Sequence, residues 1–130
     1  MELLKKSVLF CIGGGSYYGL ELLWRGRSHS TMFVLGGACF LLIGQLNRVE
    51  PKLPLIPRMA AGSGICTAGE LLFGMLFNQN YRIWDYRHQP WNLGGQICLM
   101  FTLLWIPLSG AAMWLYDRCD GVMTKLEKRA

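Results

Sequence analysis

The chain has few charged residues, whereas a soluble protein needs many of them on its surface. Only 16% of its 130 residues are charged and 52% are hydrophobic, whereas soluble domains typically carry about 25% charged residues. The charged residues also cluster between apolar stretches instead of spreading along them. These features argue against an ordinary soluble domain and predict a single membrane domain that occupies residues 1–130.

Several functional motifs are missing. The sequence has no G-x-x-x-x-G-K-[ST] phosphate-binding loop, so ATP hydrolysis would need a separate subunit. It has no C-x-x-C pair, and its five cysteines favour free packing thiols over a disulfide framework or a zinc site. No nucleophile–base constellation is visible, which makes an enzyme the less favoured class. The net charge of +5 comes from basic residues that flank apolar segments, a pattern typical of lipid headgroup contacts and not of nucleic-acid binding.

Four apolar stretches lie between the charge clusters, at about 7–24, 31–46, 59–77 and 93–116. A hydrocarbon core about 30 Å thick needs about 20 helical residues to cross it. The sequence therefore predicts an all-α fold, an integral membrane four-helix bundle. Nine of the thirteen Lys and Arg residues lie in the N-terminus, the linker 47–58 or the tail 117–130. The positive-inside rule then predicts that both termini, including the tail, are cytoplasmic.

The two halves of the chain resemble each other. Residues 13–23 align without gaps on residues 62–72, at a constant offset of 49, and each segment carries a glycine-rich start and a Glu-Leu-Leu end. A repeat of two spans keeps its direction in the membrane, so the copies would be related by an axis along the membrane normal. We therefore expect a bundle built from two repeated helical hairpins.

Two acids within these apolar stretches are the strongest functional candidates. A charged side chain at the bilayer centre costs at least about 2.5 kcal/mol, so Glu70 and Glu21 are predicted to bind a transported ion or proton. Gln96 is a third polar candidate within a span. The alternative for Glu21 is an interfacial ion pair with Arg25, four residues on. The alternative for Glu70 is a buried structural hydrogen bond.

The polar loops between the spans supply a second group of candidates. They are predicted to form a hydrogen-bonded network or gate over the mouth of the bundle, made of Arg25, Arg27, His29, Trp84, Asp85, Arg87, His88 and Asn92. The alternative is an interfacial turn that only holds its own shape. The two histidines and two glutamates are nitrogen and oxygen ligands suited to a divalent metal, but no local spacing supports a site, so no metal or cofactor is predicted.

The segment from Trp84-Asp85-Tyr86 through residues 90–99 and on to Trp105 resembles a family of small bacterial membrane proteins described as "putative ABC-transporter type IV" (CmpB-like). The Glu-x-x-x-Arg-Gly-Arg-Ser-His run of the first loop fits the same family. The resemblance covers about residues 13–110. It implies a multipass protein of the bacterial cytoplasmic membrane with a transport role, and it carries over no substrate and no catalytic residue.

Three functions follow from these observations, in order of preference. The first is a small transport protein, namely a channel, a proton- or cation-coupled carrier or a permease-like subunit. Four short spans leave little room for a pathway, so a homo-oligomer in contact with membrane lipid is expected. The second is a structural or accessory subunit of a larger membrane or ATPase complex. The third is a small membrane enzyme that acts on a lipophilic substrate.

Overall fold

The computed structural model describes residues 2–26, 29–48, 54–81 and 83–129, which form four helices and one short β-ribbon. The helices are α1 (Glu2–Arg25), α2 (Ser30–Leu46), α3 (Leu55–Phe77) and α4 (Leu99–Arg129). The ribbon pairs β1 (Asn92–Leu93) with β2 (Ile97–Cys98) in antiparallel fashion. The predicted helical fold class is therefore confirmed.

Two of the helices are long and apolar enough to cross a membrane. By length and composition α3 and α4 meet this condition, whereas α2 is apolar but has only 17 residues. α1 has 24 residues and carries charged residues near both of its ends. The apolar segments predicted from hydropathy thus correspond to the helices, and two of these helices are candidate membrane spans.

The start of the fourth apolar segment differs from the expected boundary at residue 93. α4 begins only at Leu99, because Leu93 and Ile97 pair across a tight turn that contains Gly94 and Gly95. Both glycines have positive φ, 59° and 70°, which residues with a side chain rarely adopt. The ribbon is as apolar as the helix that follows, so hydropathy alone does not separate the two.

The far end of α4 also extends beyond the expected span. The helix continues through Pro107 without interruption and ends at Arg129, so the segment predicted as a tail beyond residue 116 is helical as far as Arg129.

Lys5 of α1 holds this end of α4 in place. Its Nζ lies 3.3 Å from a carboxylate oxygen of Asp120 and donates to Oγ1 of Thr124 at 3.1 Å. Arg48 also pairs with Asp120, which joins three segments at the charged end of the molecule.

The helices pack mainly as two pairs, α1 with α2 and α3 with α4, while α2 also contacts α3 and α4. α1 meets α4 over a smaller area than it meets α2. The main apolar core contains Met32, Leu35, Cys39, Ile43, Cys66, Ile83, Trp84 and Met113. All five cysteines are free thiols. The arrangement brings the C-terminal ends of α1 and α3 to the same end of the molecule as the loop between α3 and α4.

Some of the glycines permit close contact between helices, and others do not. A Cβ at Gly62 of α3 would lie 2.6 Å from Cβ of the buried Ser109 on α4, whereas a Cβ at Gly64 would meet no atom within 4 Å. At Gly44 of α2, a Cβ would overlap the ring of Tyr116. The sequence places Gly62 and Gly64 in the same Gly-Ser-Gly motif, but only Gly62 is needed for helix packing.

This difference gives a test of the α3–α4 interface. We expect Gly62→Ala to lower the free energy of unfolding by about 1–3 kcal/mol, because the added methyl group overpacks the contact with Ser109. Gly64→Ala is the matched control, expected to stay within about 0.5 kcal/mol of the original protein. Thermal unfolding of the purified protein in detergent would measure both variants. Equal destabilisation by the two changes would contradict this packing.

Candidate functional site

Glu70 lies on α3, where three segments of the chain meet. It is only 2% exposed, and both of its carboxyl oxygens accept hydrogen bonds. The hydroxyl of Tyr86 donates to Oε2 at 3.0 Å, and the indole Nε1 of Trp105 donates to Oε1 at 2.6 Å. The carboxyl group therefore joins α3 to the loop and to α4.

The hydrogen-bond donors of Glu70 are neutral, so they satisfy its oxygens without neutralising its charge. A carboxylate has about four lone-pair positions, and the two donors leave room for another ligand on each oxygen. Among the described residues, no Lys, Arg or His side chain lies within ion-pairing distance of Glu70. A buried carboxylate in this setting is unfavourable unless a proton or a cation neutralises it.

Asn78 fixes the loop that carries Tyr86. Its side chain is fully buried and its Oδ1 accepts from the backbone N–H groups of Ile83 and Trp84, at 2.8 and 3.2 Å. Its Nδ2 donates to the backbone oxygen of Trp84 at 2.6 Å and to Oε1 of Gln96 at 2.9 Å. The side chain thus uses all of its hydrogen-bonding groups to define the fold of the loop.

Gln96 and Trp84 complete this buried network. Gln96 donates from Nε2 to the backbone oxygen of Asn78 at 3.1 Å, and the indole of Trp84 donates to the backbone oxygen of Gln96 at 2.8 Å. A Cβ at Gly74 would lie 2.4 Å from Oε1 of Gln96, so α3 needs a glycine where the amide packs against it. In the structure, the interactions of Gln96 connect the ribbon to the end of α3.

An outer cluster lies on the exposed side of the same loop. Arg87 binds the carboxylate of Asp85 through Nε at 2.9 Å and through a terminal nitrogen at 2.8 Å, and its guanidinium lies over the ring of Tyr81 at 4.1 Å. Asn92 donates to the backbone oxygen of Gln89 at 2.8 Å and accepts from the backbone N–H of Gly95. These contacts stabilise the turn around the ribbon.

The hydrogen bonds from the Arg87 side chain lower the pKa of Asp85 from its ordinary 3.8 to about 2, with help from the Arg87 backbone N–H and the positive charge of the guanidinium. Asp85 therefore stays ionised throughout the pH range in which proteins usually function. Its interaction with Arg87 is a permanent feature of the loop and does not switch near neutral pH.

Glu21 lies on α1, close enough to Glu70 to interact with it electrostatically. The side chain of Tyr17, one helical turn earlier, contacts Glu21 and is also influenced by the charge of Glu70. The ring of Tyr17 packs against Trp105, with 5.4 Å between ring centroids. The structure therefore brings the two predicted acids to the same region, with aromatic side chains between them.

Two adjoining cavities open at this region. Residues of α1 and α4 line both of them, and residues of α2 and α3 also line the first. The first, of about 180 Å³, is lined by Glu70, and the second, of about 300 Å³, is lined by Glu21 and Tyr86. Tyr17 and Trp105 line both cavities, as do Leu20 and Leu108. The walls are mainly apolar, and the acids are the charged groups among the described residues that line them.

The remaining predicted site residues have other contacts, lie at the surface or fall outside the described part. His29 caps α2, where its Nδ1 accepts from the backbone N–H of Thr31 at 3.2 Å. His88 is exposed. Arg27 and the side chain of Arg25 lie outside the described residues. Within the described ranges, no group of three or more His, Cys, Asp or Glu side chains is placed to hold a metal ion.

The sequence did not single out Tyr17, Asn78, Tyr86 or Trp105 as site residues. Tyr86 and Trp105 are in the segment that resembles the family, but only the fold shows that they bond to Glu70. An asparagine directly after an apolar helix is a common helix end, so Asn78 gave no special signal. Tyr17 and Glu21 are four residues apart, so they lie on the same face of α1. This spacing is the sequence signal that could have predicted their contact.

The fold and the site define a class of small, largely helical protein whose apolar helices surround a buried carboxyl group. The chain belongs to the family described as "Putative ABC-transporter type IV", whose family model matches residues 26–130. The family suspected from the sequence is therefore confirmed. Together with the two apolar helices, it indicates a transporter-related membrane protein. No curated protein and no solved structure matches the chain.

The Asn78 network can be tested by removing its side chain. We expect Asn78→Ala to destabilise the loop by about 1–3 kcal/mol for each buried group left without a partner. Hydrogen exchange followed by mass spectrometry should show faster exchange around Ile83 and Trp84. Gln79→Ala is the control, because Gln79 is exposed and its side chain bonds only to the backbone oxygen of Met75 among the described residues. Unchanged exchange in Asn78→Ala would contradict the central role of this side chain.

The Asp85–Arg87 pair gives a prediction for pH dependence. Because the folded-state pKa of Asp85 is lowered to about 2, the stabilisation that the pair contributes is fully present above pH 3.8 and is lost as the pH falls through about 2. NMR of the Asp85 carboxyl carbon should therefore show no titration between pH 4 and 7. In Arg87→Gln the pKa should rise towards 3.8. A midpoint near 3.8 in the original protein would contradict the bidentate interaction.

Proposed function

We propose that the protein is a small membrane transport protein in which Glu70 binds the proton or cation that is transported or that drives transport. The observation that carries this proposal is a carboxyl group that is 2% exposed, accepts only neutral donors among the described residues and lines a cavity. A buried carboxylate is costly when no positive charge pairs with it. In this proposal the charge of the Glu70 carboxylate is neutralised by the transported proton or cation.

The cavity supports a transport role because it gives the carboxyl group an approach from outside the protein. A buried ionisable group in an apolar helix is expected to face the interior or a cavity that serves a pathway. Glu70 lines the first cavity and Glu21 the second, adjoining cavity. In this proposal Glu21 is a second binding group nearer the mouth, and exchange of protons or cations at Glu70 is the central event.

The loop residues have a supporting role in the proposal. Trp84, Asp85, Arg87 and Asn92 hold the turn that presents the Tyr86 hydroxyl to Glu70, and Gln96 anchors the same turn to α3. They therefore set the geometry of the binding group. The gate predicted from the sequence would also include Arg25, Arg27, His29 and His88, and it remains part of this proposal.

We also propose a membrane arrangement with four crossings, two repeated hairpins and both termini in the cytoplasm. α1 and α3 each carry a Glu-Leu-Leu segment towards the same end of the molecule, which fits two hairpins of equal direction. The excess of basic residues at the opposite end fits a cytoplasmic face. One copy offers only a short pathway, so the transporting unit is proposed to be a homo-oligomer in contact with lipid.

The second candidate function is an accessory membrane subunit of a larger complex that includes an ATPase. The family description, which refers to ABC transporters, favours it, and so does the lack of a phosphate-binding loop in this chain. The two candidates are separated by the behaviour of the isolated protein. A transport protein moves protons or cations alone in vesicles, whereas an accessory subunit does not.

Replacing Glu70 by glutamine tests the transport proposal. We expect Glu70→Gln to reduce proton or cation flux in proteoliposomes to the level of protein-free vesicles, because the amide cannot exchange a proton or bind a cation through charge. The fold should be retained, since the amide oxygen still accepts from Trp105 and the amide nitrogen can donate to the oxygen of Tyr86. Flux would be measured with a pH-sensitive dye trapped in the vesicles.

Glu2→Gln is the matched control, because Glu2 lies at the charged end of α1 and its side chain is 78% exposed. The proton or cation flux of the Glu2→Gln variant is expected to equal that of the original protein. Equal flux in Glu70→Gln and the original protein would remove Glu70 from the mechanism. Absence of flux in the original protein would favour the accessory-subunit candidate.

A further inference from the structure

The two cavities beside Glu70 and Glu21 adjoin each other along the α1–α4 contact, and Tyr17, Trp105, Leu20 and Leu108 line both of them. We refer to this space as the α1–α4 groove. The second cavity, of about 300 Å³, reaches the lower end of the size range of ligand pockets, and the first adds about 180 Å³ beside it. The groove is open on one side, since Leu20 and Leu23 of its lining are 50% and 87% exposed.

The chemistry of the groove does not suit an inorganic ion alone. Hard cations such as Ca²⁺ need six to eight oxygen ligands, whereas the lining is dominated by carbon atoms of Leu20, Leu35, Leu108, Ala112 and Leu115. An apolar molecule without charge would fill the space but would add no positive charge beside Glu70, whose donors among the described residues are neutral. The groove therefore fits a ligand that has both an apolar body and a positive charge.

The aromatic side chains point to the same class of ligand. Tyr17 and Trp105 lie next to each other, with their ring planes tilted by 47°, and Tyr86 stacks on Phe101 with ring centroids 4.9 Å apart. All four rings line the groove. Aromatic faces attract cations and are the usual receptors for quaternary ammonium groups. The combination of aromatic rings and a carboxyl group is therefore suited to an organic cation.

We propose that the α1–α4 groove binds lipophilic organic cations, with the positive charge near Glu70 and the apolar body between Tyr17, Trp105 and the leucines. This proposal rests on the proposed transport function and names the class of substrate that the same site takes. Leu20 and Leu104, which are 50% and 45% exposed, lie at the open side of the groove. The ligand reaches the site between α1 and α4, from the lipid side.

Tetraphenylphosphonium is a suitable probe, because tetraphenylborate has nearly the same shape and the opposite charge. Equilibrium dialysis of the full-length protein in detergent should show saturable binding of tetraphenylphosphonium. Tetraphenylborate should bind at least about tenfold more weakly, because its charge faces the two acids. Equal binding of the two ions would show only partition into an apolar surface and would overturn the proposal.

Two variants test the location of the site. Glu70→Gln should weaken tetraphenylphosphonium binding by about tenfold or more, since the desolvated counter-charge is lost. Leu20→Trp should also abolish binding, because the larger side chain fills the groove from an exposed position where the fold tolerates it. Leu22→Trp is the matched control on the same helix, since Leu22 is 44% exposed and does not line either cavity.

The outcomes separate this inference from the proposed function. Binding that is lost in Glu70→Gln and in Leu20→Trp, and retained in Leu22→Trp, supports an organic-cation site in the groove. Binding that is unchanged in Leu20→Trp overturns it, even if Glu70→Gln fails to fold. If tetraphenylphosphonium does not bind while proton flux in vesicles still depends on Glu70, the substrate class is wrong and the transport function remains.

Discussion

The arrangement of this end of the molecule depends on one constraint: a carboxyl group within apolar helices must find hydrogen-bond donors. Glu70 takes them from two other segments, the Tyr86 hydroxyl of the loop and the Trp105 indole of α4. The loop can supply the hydroxyl only because Asn78 fixes its backbone at the end of α3. The buried acid, the loop and the α1–α4 groove are therefore parts of one structural unit.

The opposite end of the molecule is held together by ion pairs. There Lys5, Arg48 and Asp120 form ion pairs near the surface, where each pair contributes little free energy by itself. Their effect is to set the position of the last turns of α4 relative to α1 and α2. One end thus combines charges that are paired with each other, and the other end contains a buried carboxyl group, Glu70, whose donors among the described residues are neutral.

The sequence predicted the helices and the central acid, because both depend on simple physical signals. Long apolar stretches indicate helices, and an acid such as Glu70 inside one of them is conspicuous. The sequence did not predict the ribbon, whose residues are as apolar as a helix and whose turn depends on the positive φ of Gly94 and Gly95. The sequence also could not predict the hydrogen-bond donors of Glu70, since Tyr86 and Trp105 are 16 and 35 residues away from it along the chain.

The two anchors of the loop differ in chemical kind. Asn78 holds the loop through neutral amide and backbone groups, which have the same charge at every pH. Tyr86 holds it through a carboxyl group, whose charge depends on protonation. Protonation of Glu70 would change the charge on the acceptor of the Tyr86 hydrogen bond and would leave the Asn78 contacts unchanged. The loop is therefore attached to α3 by one contact whose strength depends on charge and by another whose strength does not.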